Sequence, residues 1–120
     1  MNRIELLAPA GNFSKLKTAI YFGADAVYAG GKNFSLRALS DNFTEEELAE
    51  GVVYAHERGV KFYVTVNIFP RNADMDEASR YFRLLQNIGV DAVLITDPGF
   101  ISLCREVAPL LPIHLSTQAN

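Results

Sequence analysis

Apolar positions along this chain follow two rhythms, short runs that read as buried strands and longer stretches with helical spacing. Ile4 to Ala8 is a short buried strand, closed by Pro9-Ala10-Gly11. Asn12 caps a helix whose apolar positions Phe13, Leu16, Ala19 and Ile20 keep helical spacing up to Gly23. Ala26 to Ala29 is a second strand, followed by a long loop holding Gly30, Gly31, Lys32, Asn33 and Arg37. Thr44 caps the next helix, with Glu45, Glu46 and Glu47 in the first turn, where carboxylates suit the positive end of the helix dipole. That helix runs through Leu48, Val52, Tyr54 and Ala55 to Gly59. Lys61 to Asn67 is the third strand. After Pro70-Arg71-Asn72, a third helix spans Asp76 to Ile88, with Ala78, Phe82, Leu85 and Ile88 on one stripe. Ala92 to Thr96 is the fourth strand, Asp97-Pro98-Gly99 opens a short helix from Phe100 to Val107, ending before Pro109, and Ile113 to Thr117 is the fifth strand. The predicted order is βαβαβαβαβ.

The joints between helix and strand repeat. Gly23-Ala24-Asp25-Ala26-Val27-Tyr28 recurs 66 residues later as Gly89-Val90-Asp91-Ala92-Val93-Leu94, with a looser copy, Gly59-Val60-Lys61-Phe62-Tyr63-Val64, between them. Each glycine sits where a helix must stop, and each apolar run that follows reads as a strand. Asp25 and Asp91 precede their strands, so they read as turn residues.

Strict alternation forces parallel strands with right-handed crossovers. Two architectures compete, a doubly wound open sheet and a (β/α)8 barrel. Side-chain parity separates them. On the third strand Tyr63, Thr65 and Asn67 share one face and Phe62, Val64 and Val66 the other; on the fifth, His114, Ser116 and Gln118 oppose Ile113, Leu115 and Thr117. A barrel takes the polar set into its lumen and covers the apolar set with helices, whereas an open sheet clad on both faces is apolar on both. The expected fold class is therefore α/β, with parallel (β/α) units forming the first five strands of a TIM-barrel-like domain, truncated at Asn120. Residues 1–120 form one N-terminal part of that domain. Its first and fifth strands would be open edges, which invites self-association.

A formal charge of −3 leaves no basic footprint for nucleic acid. No apolar run reaches the roughly 18 residues of a membrane span, and the N-terminus lacks the layout of a signal peptide. The expectation is a soluble cytoplasmic protein with no membrane partner. One cysteine, Cys104, excludes an internal disulfide and a Cys-rich metal site in this segment; no metal ligands are predicted here.

In parallel α/β architectures chemistry lies at the carboxyl ends of the strands. The substrate-binding candidates there are Asn12, Arg37, Asn67, Asp97, Gln118 and Asn120, with Lys32, Ser35, Arg71, His114 and Ser116 as weaker ones. Four helix N-termini point at the same rim and, with Lys32, Arg37 and Arg71, suggest an anion-binding face. The competing reading is that Gly30-Gly31 only turn the chain and the arginines are solvated. Asn67 and Gln118 offer amide donors and acceptors. His114 faces the lumen by parity, either as an acid/base or as a buried structural histidine. Glu5 is either a lumen carboxylate or half of a buried ion pair. His56 reads as exposed, Cys104 as small core filler, and Glu45 to Glu50 as a solvated acidic face. There is no nucleophile elbow, HExxH or phosphate-loop lysine motif, and Ser35 and Ser116 have no identifiable His–Asp partner. No catalytic residue is assigned, and a hydrolase mechanism is unsupported by these residues.

Glu5-Leu6-Leu7-Ala8-Pro9-Ala10-Gly11, the Gly23 to Tyr28 step, Phe34-Ser35-Leu36-Arg37, Val64-Thr65-Val66-Asn67, Thr96-Asp97-Pro98-Gly99 and Ile113-His114-Leu115-Ser116-Thr117-Gln118-Ala119-Asn120 together resemble the N-terminal part of the collagenase-like peptidases, peptidase family U-thirty-two. Asn67 to Ala73 and Leu103 to Glu106 are most similar to its branch of bacterial tRNA hydroxylation proteins. The resemblance implies two competing activities, proteolysis of collagen and oxygen-independent hydroxylation of RNA or a quinone precursor. For the second it implies prephenate, tRNA with the wobble uridine favoured, and a four-iron four-sulfur cluster held by four cysteines beyond this stretch. Arg37 would then pair bidentately with a carboxylate such as prephenate's. A non-catalytic docking module is a third reading. This segment alone is expected to bind no cluster and to be inactive.

Overall fold

The computed structural model describes residues 5–30, 43–66 and 75–115. Among the described residues nine elements alternate: β1 (Leu7–Pro9), α1 (Phe13–Tyr21), β2 (Ala26–Gly30), α2 (Glu45–Glu57), β3 (Lys61–Thr65), α3 (Met75–Ile88), β4 (Ala92–Ile95), α4 (Pro98–Val107) and β5 (Ile113–Leu115). All four strand pairings are parallel, and the strands lie in chain order, β1-β2-β3-β4-β5. Sequential order is what a barrel arc requires; a doubly wound sheet reverses direction partway along.

The helix stops are alike in atomic detail. After α1, α2 and α3 the chain closes with Gly23, Gly59 and Gly89 at φ 94°, 73° and 86°, a left-handed conformation that a Cβ disfavours. Gly23 N–H donates to Ile20 O at 3.0 Å and Ala24 N–H to Ala19 O at 3.1 Å; Gly59 to His56 O and Val60 to Ala55 O repeat the pattern, as do Gly89 to Gln86 O and Val90 to Leu85 O. These are Schellman motifs, and the residue after each glycine (Ala24, Val60, Val90) is buried in the core. α4 lacks the glycine. It ends at Ala108, and Leu111 supplies the buried apolar contact instead.

The N-terminal edge of the sheet is tied more firmly than turn residues alone would manage. Asp25 Oδ2 accepts the Leu6 N–H at 2.8 Å, and Asp91 Oδ2 accepts the Phe62 N–H at 2.7 Å. Each aspartate thus reaches back to the start of the preceding strand, joining β1 to β2 and β3 to β4. Lys61, the corresponding residue of the looser copy, has no carboxylate to do so. The same bonds shift the start of β1: Leu6 engages Asp25, so ladder pairing begins at Leu7 opposite Ala26, and Pro9, which has no N–H to give, is tolerated on an edge strand. Glu5 precedes β1 and is exposed beside Asp25, Gly59 and Lys61, so it is not half of a buried ion pair.

The two faces of the sheet are unlike. The outer face carries the main core, in which Val27, Phe62, Val64, Val93 and Ile95 meet Leu16, Leu48, Val52, Phe82 and Cys104 from the helices. Phe43 and Phe62 meet edge-on at 5.8 Å. α2 lies so close that a Cβ on Gly51 would fall 3.2 Å from both Leu16 Cδ2 and Phe62 Cε2. The inner face is a small cluster of Ala26, Tyr63 and Ala92 with Tyr28 and Leu94 packed against it. The parity read from the sequence holds: Phe62, Val64 and Val66 face the helices, Tyr63 the other way.

Candidate functional site

The carboxyl ends of the strands form a rim at which the helices begin. Asn12 follows β1, and its Oδ1 accepts the Lys15 N–H at 2.8 Å, capping α1. Thr44 and Glu47 make a reciprocal capping box on α2, with Glu47 Oε1 accepting the Thr44 N–H at 2.8 Å. Phe43 and Leu48, both buried, occupy the staple positions around it. Asp97 caps α4 by accepting the Phe100 N–H at 3.1 Å, and Pro98 supplies the fixed φ of the first helical residue. Gly99 keeps this cap open, since a Cβ there would lie 3.0 Å from Asp97 Oδ2.

Two of the six principal candidates, Asn12 and Asp97, are therefore helix caps with one side-chain oxygen engaged. Each carries a second polar atom, the Asn12 amide nitrogen and Asp97 Oδ1. They stand at the ends of β1 and β4, three strand spacings or roughly 14 Å apart along the sheet. The structure brings no other candidate against either of them among the described residues. Arg37, Asn67, Gln118 and Asn120, and with them Lys32, Ser35, Arg71 and Ser116, lie outside the described residues.

His114 is described. It sits on the inner face, exposed, in register with Leu94, Thr65 and Gly30 on the neighbouring strands. Its ring meets Tyr63 at a centroid distance of 5.3 Å and a tilt of 55°. Tyr63 is 8% exposed. Burial, then the Glu5 charge, raises its phenol above the usual value, so it stays protonated at neutral pH. Thr65 Oγ1 donates to Ala29 O at 3.4 Å. Tyr28 lies beside Tyr63 in register on β2. Sequence reasoning singled out neither tyrosine, although the period-two parity of β3 already placed Tyr63 on the inner face.

Two readings from the sequence change. His56 is not merely exposed: its Nε2 lies 2.7 Å from Asp91 Oδ2, the oxygen that also holds the Phe62 N–H, so the end of α2 is clamped to the start of β4. Glu45 is not simply solvated, because Arg80 Nη2 donates to its Oε2 at 2.7 Å, tying α2 to α3. That hydrogen bond raises the Arg80 guanidinium further above its ordinary value.

Cys104 is fully buried against the outer core, and burial pushes its thiol up to about 11. It is a small apolar filler rather than a reactive thiolate. A four-iron cluster takes four thiolates. The single cysteine of this chain, protonated and enclosed, does not fit that group. Among the described residues no three His, Cys, Asp or Glu side chains gather closely enough to hold a metal ion. Among them, too, no helix is long and apolar enough to cross a membrane.

Comparison with known proteins places this geometry. The tRNA hydroxylation protein P1 of Bacillus subtilis is 52% identical over 97% of this chain and 28% of its own length. The 23S rRNA 5-hydroxycytidine C2501 synthase of Escherichia coli is 37% identical over 99% of this chain and 18% of its own length. The chain thus spans under a third of the length of these relatives. Among solved structures, a phosphonopyruvate hydrolase superposes with a TM-score of 0.63 at 20% identity, over 93% of this chain and 45% of that one, which supports the TIM-barrel-like fold. The profile of "Peptidase family U32" matches residues 11–120, and the chain belongs to that family.

Proposed function

We propose that this chain contributes the substrate-facing rim of a barrel in a protein that supports hydroxylation of RNA. The observation that carries the reading is the 52% identity, across nearly the whole chain, to a protein named for tRNA hydroxylation. The target proposed is the tRNA wobble uridine, with a small carboxylate of the prephenate type as the second substrate. In this reading Arg37 holds the carboxylate bidentately, and Asn67 and Gln118 present amide groups to the RNA. Asn12 and Asp97, each with a second side-chain polar atom beyond its capping bond, would add polar contacts at the same rim.

The full-length protein should restore hydroxylated wobble uridine to a bacterial strain lacking its own tRNA hydroxylation protein, read by mass spectrometry of tRNA nucleosides. Arg37→Ala should lower that product at least about tenfold, as expected for loss of a charged bidentate pair. Restoration at wild-type level would remove the role given to Arg37. Cleavage of gelatin with no change in RNA nucleosides would replace the whole reading with proteolysis.

A further inference from the structure

We infer that His114 contacts the substrate directly, offering its imidazole to the target pyrimidine of the RNA, and that Tyr63 is the positioning residue that holds it. The inference rests on the RNA-hydroxylation reading and adds to it a named contact and a ligand class.

Tyr63 lies on β3 with Tyr28 opposite it on β2 and Ala92 opposite it on β4, and it is buried together with Ala92 and with Ala26 of β2. Ala92 projects no atom beyond Cβ. The Tyr63 ring can therefore pass over β4 and reach His114 on β5, 5.3 Å away between centroids. A larger side chain at residue 92 would fill that path. The 55° tilt sets the tyrosine against one side of the imidazole, and His114 remains exposed. Tyr63, at 8% exposure, is spent on support.

What surrounds the imidazole selects a ligand. In its own row, Leu94 gives a half-buried apolar wall, and Gly30 contributes no side chain at all. The Thr65 hydroxyl turns back to the Ala29 carbonyl. A planar ring with nitrogen on its edge, exposed and next to an apolar wall, suits a flat heterocycle that stacks and hydrogen-bonds at once. A nucleobase does both once it is unstacked from its neighbours. The site lies at the carboxyl end of a parallel sheet, so a base in a helix would have to be flipped or single-stranded to reach it. The named product of the rRNA relative is a hydroxylated pyrimidine, which favours a pyrimidine here.

The test uses the full-length protein and an RNA hairpin carrying 5-iodouridine at the target position. Ultraviolet crosslinking followed by peptide mass spectrometry should map the crosslink to the peptide holding His114. His114→Ala should reduce both the crosslink and the hydroxylated nucleoside in the deletion strain about tenfold or more, with an unchanged thermal midpoint. His114→Phe should keep RNA binding within about threefold, because a stacking ring remains. Tyr63→Phe should behave as wild type and Tyr63→Leu should resemble His114→Ala, a split that a purely structural tyrosine would not produce without a loss of stability. If wild type hydroxylates RNA while His114→Ala stays within about twofold of it, or the crosslink maps elsewhere, the inference is overturned and the RNA reading survives. If wild type neither crosslinks nor hydroxylates, both fall together.

Discussion

On β3, Phe62 and Val64 are fully buried beneath α2, whereas Tyr63 and Thr65, one step along the same backbone, turn to the other face beside Tyr28, Gly30, Ala92, Leu94 and His114. The outer face is closed by large apolar side chains that fill volume, to the point that α2 needs Gly51 to approach. The inner face sets Ala26, Gly30 and Ala92 among Tyr28, Tyr63, Leu94 and the exposed His114. Packing density explains the first and cannot explain the second. A strand that alternates between these faces divides its side chains residue by residue: core packing on one side and, in the reading proposed above, recognition on the other.

The sharpest way to break this contrast is to cut into both faces at adjacent positions. Phe62→Ala in the full-length protein should cost about 3–5 kcal/mol in equilibrium urea unfolding, since it removes a fully buried ring from the main core. Tyr63→Phe should cost under about 1 kcal/mol in the same measurement. Equal losses would mean that the inner face is core as well.

A smaller effect is expected at the N-terminal edge, which serves the outer face by fixing where strands begin. Asp91→Ala removes the acceptor for the Phe62 N–H together with the partner of His56, and should cost about 2 kcal/mol. His56→Ala leaves the backbone bond intact and, with both side chains about a third or more exposed, should cost about 0.5 kcal/mol. A double-mutant cycle checks the coupling: His56→Ala should add almost nothing on top of Asp91→Ala.

The mildest prediction concerns Cys104. Its thiol is raised from 9.0 to about 11 in the fold, so its contribution to stability is complete below the unfolded value and is lost as pH rises from about 9 through about 11. Iodoacetamide at pH 8 should leave the folded protein unmodified over hours and alkylate it promptly in concentrated urea, followed by intact mass. Rapid labelling of the folded state would show that the outer core opens locally at α4.

Much of the architecture was legible because it is local. Asn12, Thr44 and Asp97 cap helices through bonds three residues long, and Gly23, Gly59 and Gly89 close them within a single turn. The parity of β3 follows from the pleat alone. The candidate site was legible only as a place, the carboxyl rim, and as a set of polar types on it. Its contacts were not, because they join residues whose distance in sequence says nothing about their distance in space. His56 and Asp91 are 35 residues apart, as are Glu45 and Arg80.

The repeated Gly-x-Asp-Ala-Val step shows both limits. Sequence alone determined that its glycine ends a helix and that a strand follows, because steric exclusion at positive φ and hydrophobic periodicity act over a few residues. Only the tertiary structure decided what its other two positions do. Asp25 and Asp91 tie their strands to the preceding ones, and Ala92 leaves the space over β4 through which Tyr63 reaches His114. Those roles depend on which strands become neighbours and in what register, and both are set when the helices pack the outer face and draw the sheet into its arc.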